Sequence, residues 1–264
     1  MLDYIELKSL FDQLNLPDKP VLVHASLKPF GYIQDGADAI LRAMTSSFKT
    51  IVMPTFTYYT MVTPPVGHPN NGMIYGRPEI PNEMSTSFKP DLRADPMMGI
   101  LSEAFRNHQQ AKRTSHPILS FAGINADSIL ATQMLDDPLA PIAALAEQDG
   151  WVVLVNVDHT VNTSIHYAEK LAGRKQFIRW ALVEDRTVEC HNYPGDSRGF
   201  NAIKPYIKDL VVREELDKAF IEAMPVKRLL DVTVNLIKNN PLALLCERED
   251  CLMCNEVRGI HALG

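Results

Sequence analysis

A histidine and a carboxylate stand three residues apart in a segment whose pattern predicts a helix. His166 and Glu169 follow an apolar run at 151–155, which begins after Gly150 and is typical of a buried strand. Side chains at i and i+3 share one helical face, and a carboxylate beside an imidazole orients it and raises its basicity. The pair is therefore a candidate for proton transfer, with a solvated surface pair as the alternative. Ligands of α/β sheets gather where buried strands end and helices begin, which favours the catalytic interpretation.

Cysteine supplies the second group of reactive side chains. Cys246, Cys251 and Cys254 lie close together near the C-terminus. Cys190 is the only other cysteine of the chain. Three thiols so close together in a cytoplasmic protein are typical of metal binding. Zinc takes four tetrahedral ligands, which Cys190, or alternatively His191, would complete. We expect a structural zinc that holds the C-terminal tail to the body; an iron–sulfur cluster and metal-free thiols are the alternatives.

Length and charge bound the class of protein. The chain has 264 residues, of which 46% are hydrophobic, so it can bury a substantial core. No run approaches the roughly 20 apolar residues of a membrane-spanning helix, and the N-terminus does not resemble a signal peptide. We therefore expect a soluble, cytoplasmic enzyme with no membrane partner. A formal net charge of minus 6 with scattered basic residues argues against a nucleic-acid partner. The sequence does not indicate the oligomeric state, and a homo-oligomer is one possibility.

The elements that must position the reactive groups alternate along the chain. The alternation predicts an α/β fold with one main domain, 1–245, and a cysteine-bearing C-terminal appendage, 246–264. The stretch 54–96 is rich in turn-forming residues and without a period, which indicates a functional or mobile loop. Apolar runs predict strands at 21–23, 51–53, near 118–121, at 151–157 and twice within 177–190; helical periodicity predicts helices at 4–14, 37–48, 99–108, around His166, at 140–148 and at 225–239.

Several other chemistries lack their motifs in this sequence. A serine-nucleophile acyltransferase would need a Gly-x-Ser-x-Gly elbow, and nucleotide-driven chemistry would need a Walker loop or a Gly-x-Gly-x-x-Gly turn. A zinc hydrolase would need an open metal position and a His-x-x-x-His pair. None of these patterns occurs in the chain.

Seven separated segments, taken in order, resemble the aminoglycoside 3-N-acetyltransferase family of acetyl-CoA-dependent antibiotic acetyltransferases. The resemblance implies an α/β fold of the antibiotic N-acetyltransferase type, distinct from the GNAT acetyltransferases, that binds acyl-CoA and an amine together. It also implies direct acyl transfer to an aminoglycoside or similar amino sugar, with His166 as general base and Glu169 as its orienting carboxylate. The segments are VHASL (23–27), VMPTFT (52–57), MGILSEAFR (98–106), RTSHP (113–117), SFA (120–122), PLAPI (138–142) and NTSIHYAE (162–169).

The same resemblance assigns residues to acetyl-CoA, or another acyl-CoA. Hydroxyls and cations suit its phosphates, and donors near two of the segments would stabilise the oxyanion. The alternatives to binding acyl-CoA are that Ser26 only shapes a turn, that Lys28 is solvated, and that Arg113 forms an exposed basic pair with Lys112. The matching positions are Ser26, Lys28, Thr55, Arg113, Thr114 and Ser115.

One departure from the family pattern concerns the charge near the acceptor. Where the family commonly has His-Asp, this chain has His159-Thr160, and threonine cannot supply negative charge to a cationic amine. Two alternatives therefore stand beside an aminoglycoside acetyltransferase. One is an N-acyltransferase for a nucleotide-linked amino sugar of cell-surface polysaccharide synthesis, and the other is a non-catalytic protein that binds CoA.

Overall fold

A seven-stranded mixed sheet forms the centre of the fold. The computed structural model describes residues 2–78 and 81–262, with side chains as far as residue 259. The strands are β1 Val21–Ala25, β2 Ile51–Pro54, β3 Met61–Val62, β4 Lys112–Arg113, β5 Phe121–Ile124, β6 Trp151–Val155, β7 Phe177–Val183, β8 Arg186–Tyr193, β9 Val212–Leu216 and β10 Ala219–Pro225. The helices are α1 Tyr4–Asp12, α2 Gly36–Ser47, α3 Gly99–Arg106, α4 Asp127–Leu130, α5 Ala140–Glu147, α6 Thr163–Leu171, α7 Lys204–Ile207, α8 Val226–Asn239 and α9 Leu252–Ala262.

The strand order of the central sheet is β4-β5-β2-β1-β6-β10-β9. Strands β2, β1 and β6 run parallel, whereas β5 and β10 flank them in the antiparallel direction. The middle strands are apolar on both faces because helices cover both faces. Side chains of α1, α2 and α3 pack on one face, and those of α4, α5, α6 and α8 pack on the other. Because β1 and β6 are neighbours that run parallel, their carboxyl ends lie side by side. Ligand sites of α/β proteins form at such strand ends.

A second, three-stranded sheet has the order β3-β7-β8. Its β7–β8 hairpin turns at Glu184 and Asp185, and Glu184 adopts the left-handed conformation that such a tight turn requires. The long irregular stretch 54–96 supplies β3, and Phe88 bridges to Val183 of β7. Asn71 of the same stretch also hydrogen bonds to the backbone of Ile178 in β7, so the stretch is attached to the second sheet at several points.

Most predicted elements occur close to their expected places. The helices expected at 4–14, 37–48, 99–108, 140–148 and 225–239 are present as α1, α2, α3, α5 and α8. The strand expected near 118–121 begins later, at Phe121, and the sequence reading missed the β9–β10 hairpin, where charged residues break the apolar pattern. The mixed α/β class is confirmed. Throughout the described ranges, no helix is both long and apolar enough to cross a bilayer.

Candidate active site

Helix α6 begins directly beyond the carboxyl end of β6 and carries the histidine and the glutamate. A short 3-10 turn at His159–Val161 joins the two elements. The Asn162 side chain then caps α6 by accepting a hydrogen bond from the Ser164 backbone N–H at 3.2 Å. This local geometry sets the start of the helix and therefore the direction in which its side chains leave the sheet.

His166 and Glu169 form a buried hydrogen-bonded pair. The Nδ1 atom of His166 lies 2.8 Å from Oε2 of Glu169, and the side chains are 12% and 3% exposed. A proton on Nδ1 donates to the carboxylate, which leaves the lone pair on Nε2. In the described part of the chain, no protein group is hydrogen bonded to Nε2. This arrangement is suited to a base with an orienting carboxylate, and its burial does not match a solvated surface pair.

Two further side chains hold the pair in place. Arg174 donates from Nη1 to Oε1 of Glu169 at 2.6 Å, so both carboxylate oxygens are engaged. Phe200 packs against the His166 ring edge to face, with ring centres 4.6 Å apart. A rotation of the imidazole would therefore break a charge-assisted hydrogen bond and an aromatic contact.

The first strand ends beside β6, the strand from which the chain continues to α6. Ser26 is half-buried at the end of β1, and its N–H donates to the Val155 carbonyl of β6 at 2.9 Å. Lys28 is exposed two residues further on. His24 is buried within β1, and burial lowers its pKa to about 3, so it is neutral at physiological pH.

Three of the positions assigned by resemblance are engaged inside the protein. Thr55 is fully buried, and its hydroxyl donates to the Ser120 carbonyl at 3.2 Å. Arg113 donates to the carbonyls of Thr55, Pro90 and Leu92, and burial lowers its pKa to about 10, so it stays charged at neutral pH. The Thr114 hydroxyl accepts a hydrogen bond from the Phe121 N–H at 2.8 Å.

This internal network distinguishes the six assigned positions. Among the described residues, the side chains of Ser26, Lys28 and Ser115 have no hydrogen-bond partner in the protein. The side chains of Thr55, Arg113 and Thr114 instead join β2, β5 and the segment 90–92. The last three therefore support the strand ends rather than point away from them.

A carboxylate precedes the position at which the sequence departs from the family pattern. Asp158 accepts from the N–H and hydroxyl of Thr160 and from the Asn201 amide. Burial raises the pKa of Asp158, but these hydrogen bonds outweigh it and hold the pKa below its usual value. A negative charge is therefore kept two residues before Thr160, with Lys204 nearby.

The C-terminal cysteines converge on an aspartate. One ligand atom each from Asp196, Cys246, Cys251 and Cys254 lie within 4.8 Å of one another, and the Sγ atoms of Cys246 and Cys254 are 3.4 Å apart. Tetrahedral zinc with Zn–S bonds of about 2.3 Å places its sulfurs roughly 3.8 Å apart. Burial raises the pKa of the Asp196 carboxyl, against the lowering influence of the Cys246 thiol and His166. The geometry of this cluster fits a small tetrahedral ion.

Cys190 is not part of that cluster. It lies in β8, packs within the apolar core and is 1% exposed. Burial raises the pKa of its thiol to about 12, so it remains protonated. His191 is exposed and lies 3.5 Å from Glu189. The structure thus brings Asp196, rather than the expected Cys190 or His191, to the three thiols, because Cys190 packs in the apolar core and His191 lies at the surface beside Glu189.

The sequence reading missed Arg174 and Asp196. Asp196 lies six residues after Cys190, and carboxylates are ordinary zinc ligands, so a search of this segment for oxygen ligands would have found it. Arg174 had no local signal, because its hydrogen-bond partners include carbonyls far along the chain at Pro241 and Ala243.

Comparison with known families decides the assignment. The family model described as aminoglycoside 3-N-acetyltransferase matches residues 22–238, which is most of the chain. The chain belongs to the aminoglycoside 3-N-acetyltransferase family. The match includes nearly all of β1, Arg113 and the α6 pair, whereas the three C-terminal cysteines lie beyond it.

Individual members of the aminoglycoside 3-N-acetyltransferase family align with part of the chain. Aminoglycoside N(3)-acetyltransferase IV of Salmonella sp is 28% identical over 59% of this chain and 54% of its own length. The prophage-derived aminoglycoside N(3')-acetyltransferase-like protein YokD of Bacillus subtilis is 29% identical over 64% of this chain and 65% of its own. The chain thus spans less than two thirds of the length of each.

Solved structures of aminoglycoside 3-N-acetyltransferases share the whole fold. The apoenzyme of AAC(3)-IVa superposes with a TM-score of 0.78 at 22% identity, covering 98% of this chain and 97% of that one. YokD from Bacillus subtilis has a TM-score of 0.77 at 22% identity, with 91% and 94% covered. AAC-IIIb, whose structure is a binary complex with CoASH, has a TM-score of 0.71 at 19% identity, with 90% and 96% covered. At these identities the likeness establishes the fold.

Proposed function

We propose that this protein transfers an acyl group, acetyl in the first instance, from acyl-CoA to an amino group of an aminoglycoside. Family membership supports the reaction class. Structures with the same fold contain CoASH in AAC-IIIb and a gentamicin or apramycin in variants of AAC(3)-IVa. A cytoplasmic location forms part of the proposal, since the reaction draws on acyl-CoA.

The observation that carries the proposal is the 2.8 Å bond from His166 Nδ1 to Glu169 Oε2, which leaves Nε2 as a proton acceptor. An amine attacks a thioester only through a free lone pair, so a proton must leave its nitrogen. In this mechanism Nε2 takes that proton while the nitrogen forms a bond to the acyl carbon. The C–S bond then breaks, and CoA leaves as the thiolate. Glu169 stabilises the imidazolium that forms.

A negative charge near the acceptor favours a cationic amine. Asp158 is held ionised by Thr160 and Asn201 and lies beyond the carboxyl end of β6. Asp158 thus supplies part of the negative charge that an aspartate in place of Thr160 would carry. Among the described residues, no feature of the site favours a nucleotide-linked amino sugar, so that acceptor is kept as an outcome of the experiment.

Acyl-CoA is assigned to the end of β1. Ser26, Lys28 and Ser115 retain side chains that reach solvent, and a hydroxyl with a cation suits a phosphate. Thr55, Arg113 and Thr114 are proposed to support that surface through their internal hydrogen bonds. Bound acyl-CoA supplies the thioester that the amine attacks.

This division of roles predicts different effects at two cations. Lys28→Met is expected to raise KM for acetyl-CoA roughly two- to fivefold without loss of stability, as for an exposed ion pair. Arg113→Met leaves buried carbonyls unpaired and is expected to lower the free energy of unfolding by about 1 to 3 kcal/mol. Steady-state kinetics and urea unfolding separate the two. A stable Arg113→Met protein with a KM raised more than tenfold would contradict the division.

A structural zinc is the remaining part of the proposal. Asp196, Cys246, Cys251 and Cys254 supply four ligand atoms, so the protein fills every position of a tetrahedral ion. Such a site has no open position for substrate. The ion therefore acts on the structure of the tail and takes no step in acyl transfer.

The experiment that tests the function is a turnover assay read by mass spectrometry. Purified protein with acetyl-CoA is incubated with a panel of aminoglycosides and of nucleotide-linked amino sugars. An aminoglycoside heavier by one acetyl group, with one equivalent of free CoA released, is the expected product. Acetylation of only the nucleotide-linked sugars would move the acceptor to polysaccharide synthesis, and no turnover on either set would favour a non-catalytic CoA-binding protein.

A further inference from the structure

Arg174 connects the catalytic pair to the C-terminal segment of the chain. Gly173, in the left-handed conformation, follows α6 and turns the chain so that Arg174 returns beneath the helix. The Arg174 side chain is 3% exposed and donates from Nη1 to Glu169. Its Nη2 donates to the carbonyls of Pro241 and Ala243, at 2.7 Å each.

The same C-terminal segment also reaches the imidazole by a second route. A Cβ atom at Gly199 would overlap the carbonyl oxygens of Leu244 and Leu245, so the two backbones are in close contact. Phe200 follows Gly199 and packs against the His166 ring at 4.6 Å. The segment 241–245 therefore binds Arg174 directly and packs against the residue next to Phe200.

Both chain segments of this contact lead into the cysteine cluster. Cys246 continues the segment 241–245, and Asp196 lies three residues before Gly199. Glu169, Arg174, Asp196, Leu245 and Cys254 are among the residues that line one narrow void. Glu169 of the pair and two members of the cluster thus border the same void.

We propose that Arg174 is a positioning residue, which the C-terminal segment holds against Glu169 so that His166 is kept in one tautomer and one orientation. The inference rests on the proposed role of His166. A guanidinium is suited to this position because its planar fork reaches one carboxylate and two carbonyls at once. Without it, Glu169 loses the partner of one buried oxygen and turns away from the imidazole, and displacements of about 1 Å at a reacting group cost on the order of 100-fold in rate.

The test uses Arg174→Met and Arg174→Lys in the full-length chain, with histidine labelled by ¹⁵N. His166 is assigned from the signals lost in His166→Ala. In the wild type we expect one neutral tautomer with the proton on Nδ1. In Arg174→Met we expect a mixture of the two tautomers and a kcat lowered about 10- to 100-fold. KM for acetyl-CoA should stay within about twofold, because Arg174 is buried and is not among the residues proposed to bind acyl-CoA. Arg174→Lys keeps the positive charge but lacks the planar guanidinium, so its kcat should lie between those of the wild type and Arg174→Met.

Arg179→Met is the matched control. Arg179 is also a buried arginine that donates to backbone carbonyls, those of Asn71 and Ile178 among them, but it lies in β7. Its replacement is expected to lower the unfolding temperature and to leave the His166 tautomer unchanged. If Arg174→Met does not fold, the lysine variant alone decides, since it must also alter the His166 signals.

A single Nδ1–H tautomer and a wild-type kcat in folded Arg174→Met would overturn the inference. The ¹⁵N measurement does not depend on turnover, so it separates this inference from the proposed function. If the wild type acetylates nothing, the tautomer still reports on Arg174. If His166→Ala is inactive while Arg174→Met retains both tautomer and rate, the function stands and the positioning role fails.

Discussion

Replacement of His166 by alanine is expected to lower kcat for acyl transfer by about 10² to 10⁴-fold, which is the usual contribution of a general base. The amine keeps its proton without Nε2 of His166 as acceptor, so fewer bound complexes can attack the thioester. KM for acetyl-CoA should change little, because the imidazole acts on the amine. Stopped assays of CoA release at saturating acetyl-CoA measure the effect.

A matched histidine shows whether the effect is specific. His108 follows α3, which packs on the opposite face of the central sheet from α6. His108→Ala is expected to keep the wild-type kcat. The kcat of Glu169→Gln is expected to lie between those of the wild type and His166→Ala, since an amide cannot stabilise the imidazolium by charge. A kcat for His166→Ala within twofold of the wild type would falsify the assignment of the base.

Removal of the proposed zinc is expected to have the second largest effect, and this effect is on stability. Purified protein should contain about one equivalent of zinc, measured by plasma mass spectrometry. A ligand present at about 100 times its Kd stabilises a fold by roughly 2.7 kcal/mol. For a domain of this size, each kcal/mol corresponds to about 2 to 4 °C. Chelation or Cys251→Ser should therefore lower Tm by roughly 5 to 10 °C.

Two variants distinguish the possible ligand sets. Asp196→Ala is expected to weaken zinc binding, whereas Cys190→Ser is expected to keep a full equivalent, because Cys190 is buried in the core away from the cluster. Loss of zinc from Cys190→Ser together with retention in Asp196→Ala would restore the set of four thiolates. Less than about a tenth of an equivalent in the wild type would exclude a resident zinc.

The order of the central elements could be predicted because their signals are local. The apolar runs of β1, β2 and β6 and the periodicity of α2 and α8 each lie within one short window of sequence. Strands β9 and β10 were missed for the converse reason. Their side chains are charged where they reach solvent, and β10 is stabilised by its pairing with β6, more than 60 residues earlier.

The sequence by itself determined that the two residues proposed for proton transfer share one helix. His166 and Glu169 are three residues apart on one helix, so the geometry of the helix places both side chains on the same face. The three cysteines near the C-terminus were also evident, because their spacing alone keeps them within reach of one ion.

Tertiary structure alone decided which groups complete each site. Arg174 reaches Glu169 and carbonyls more than 60 residues away, Asp196 replaces Cys190 beside the thiols, and Arg113 turns inward to carbonyls. These contacts join segments distant in the chain, and buried polar groups must find partners wherever the packing of sheets and helices places them. No local pattern encodes that placement, since it depends on how the strands pair and which side of a strand meets the tail.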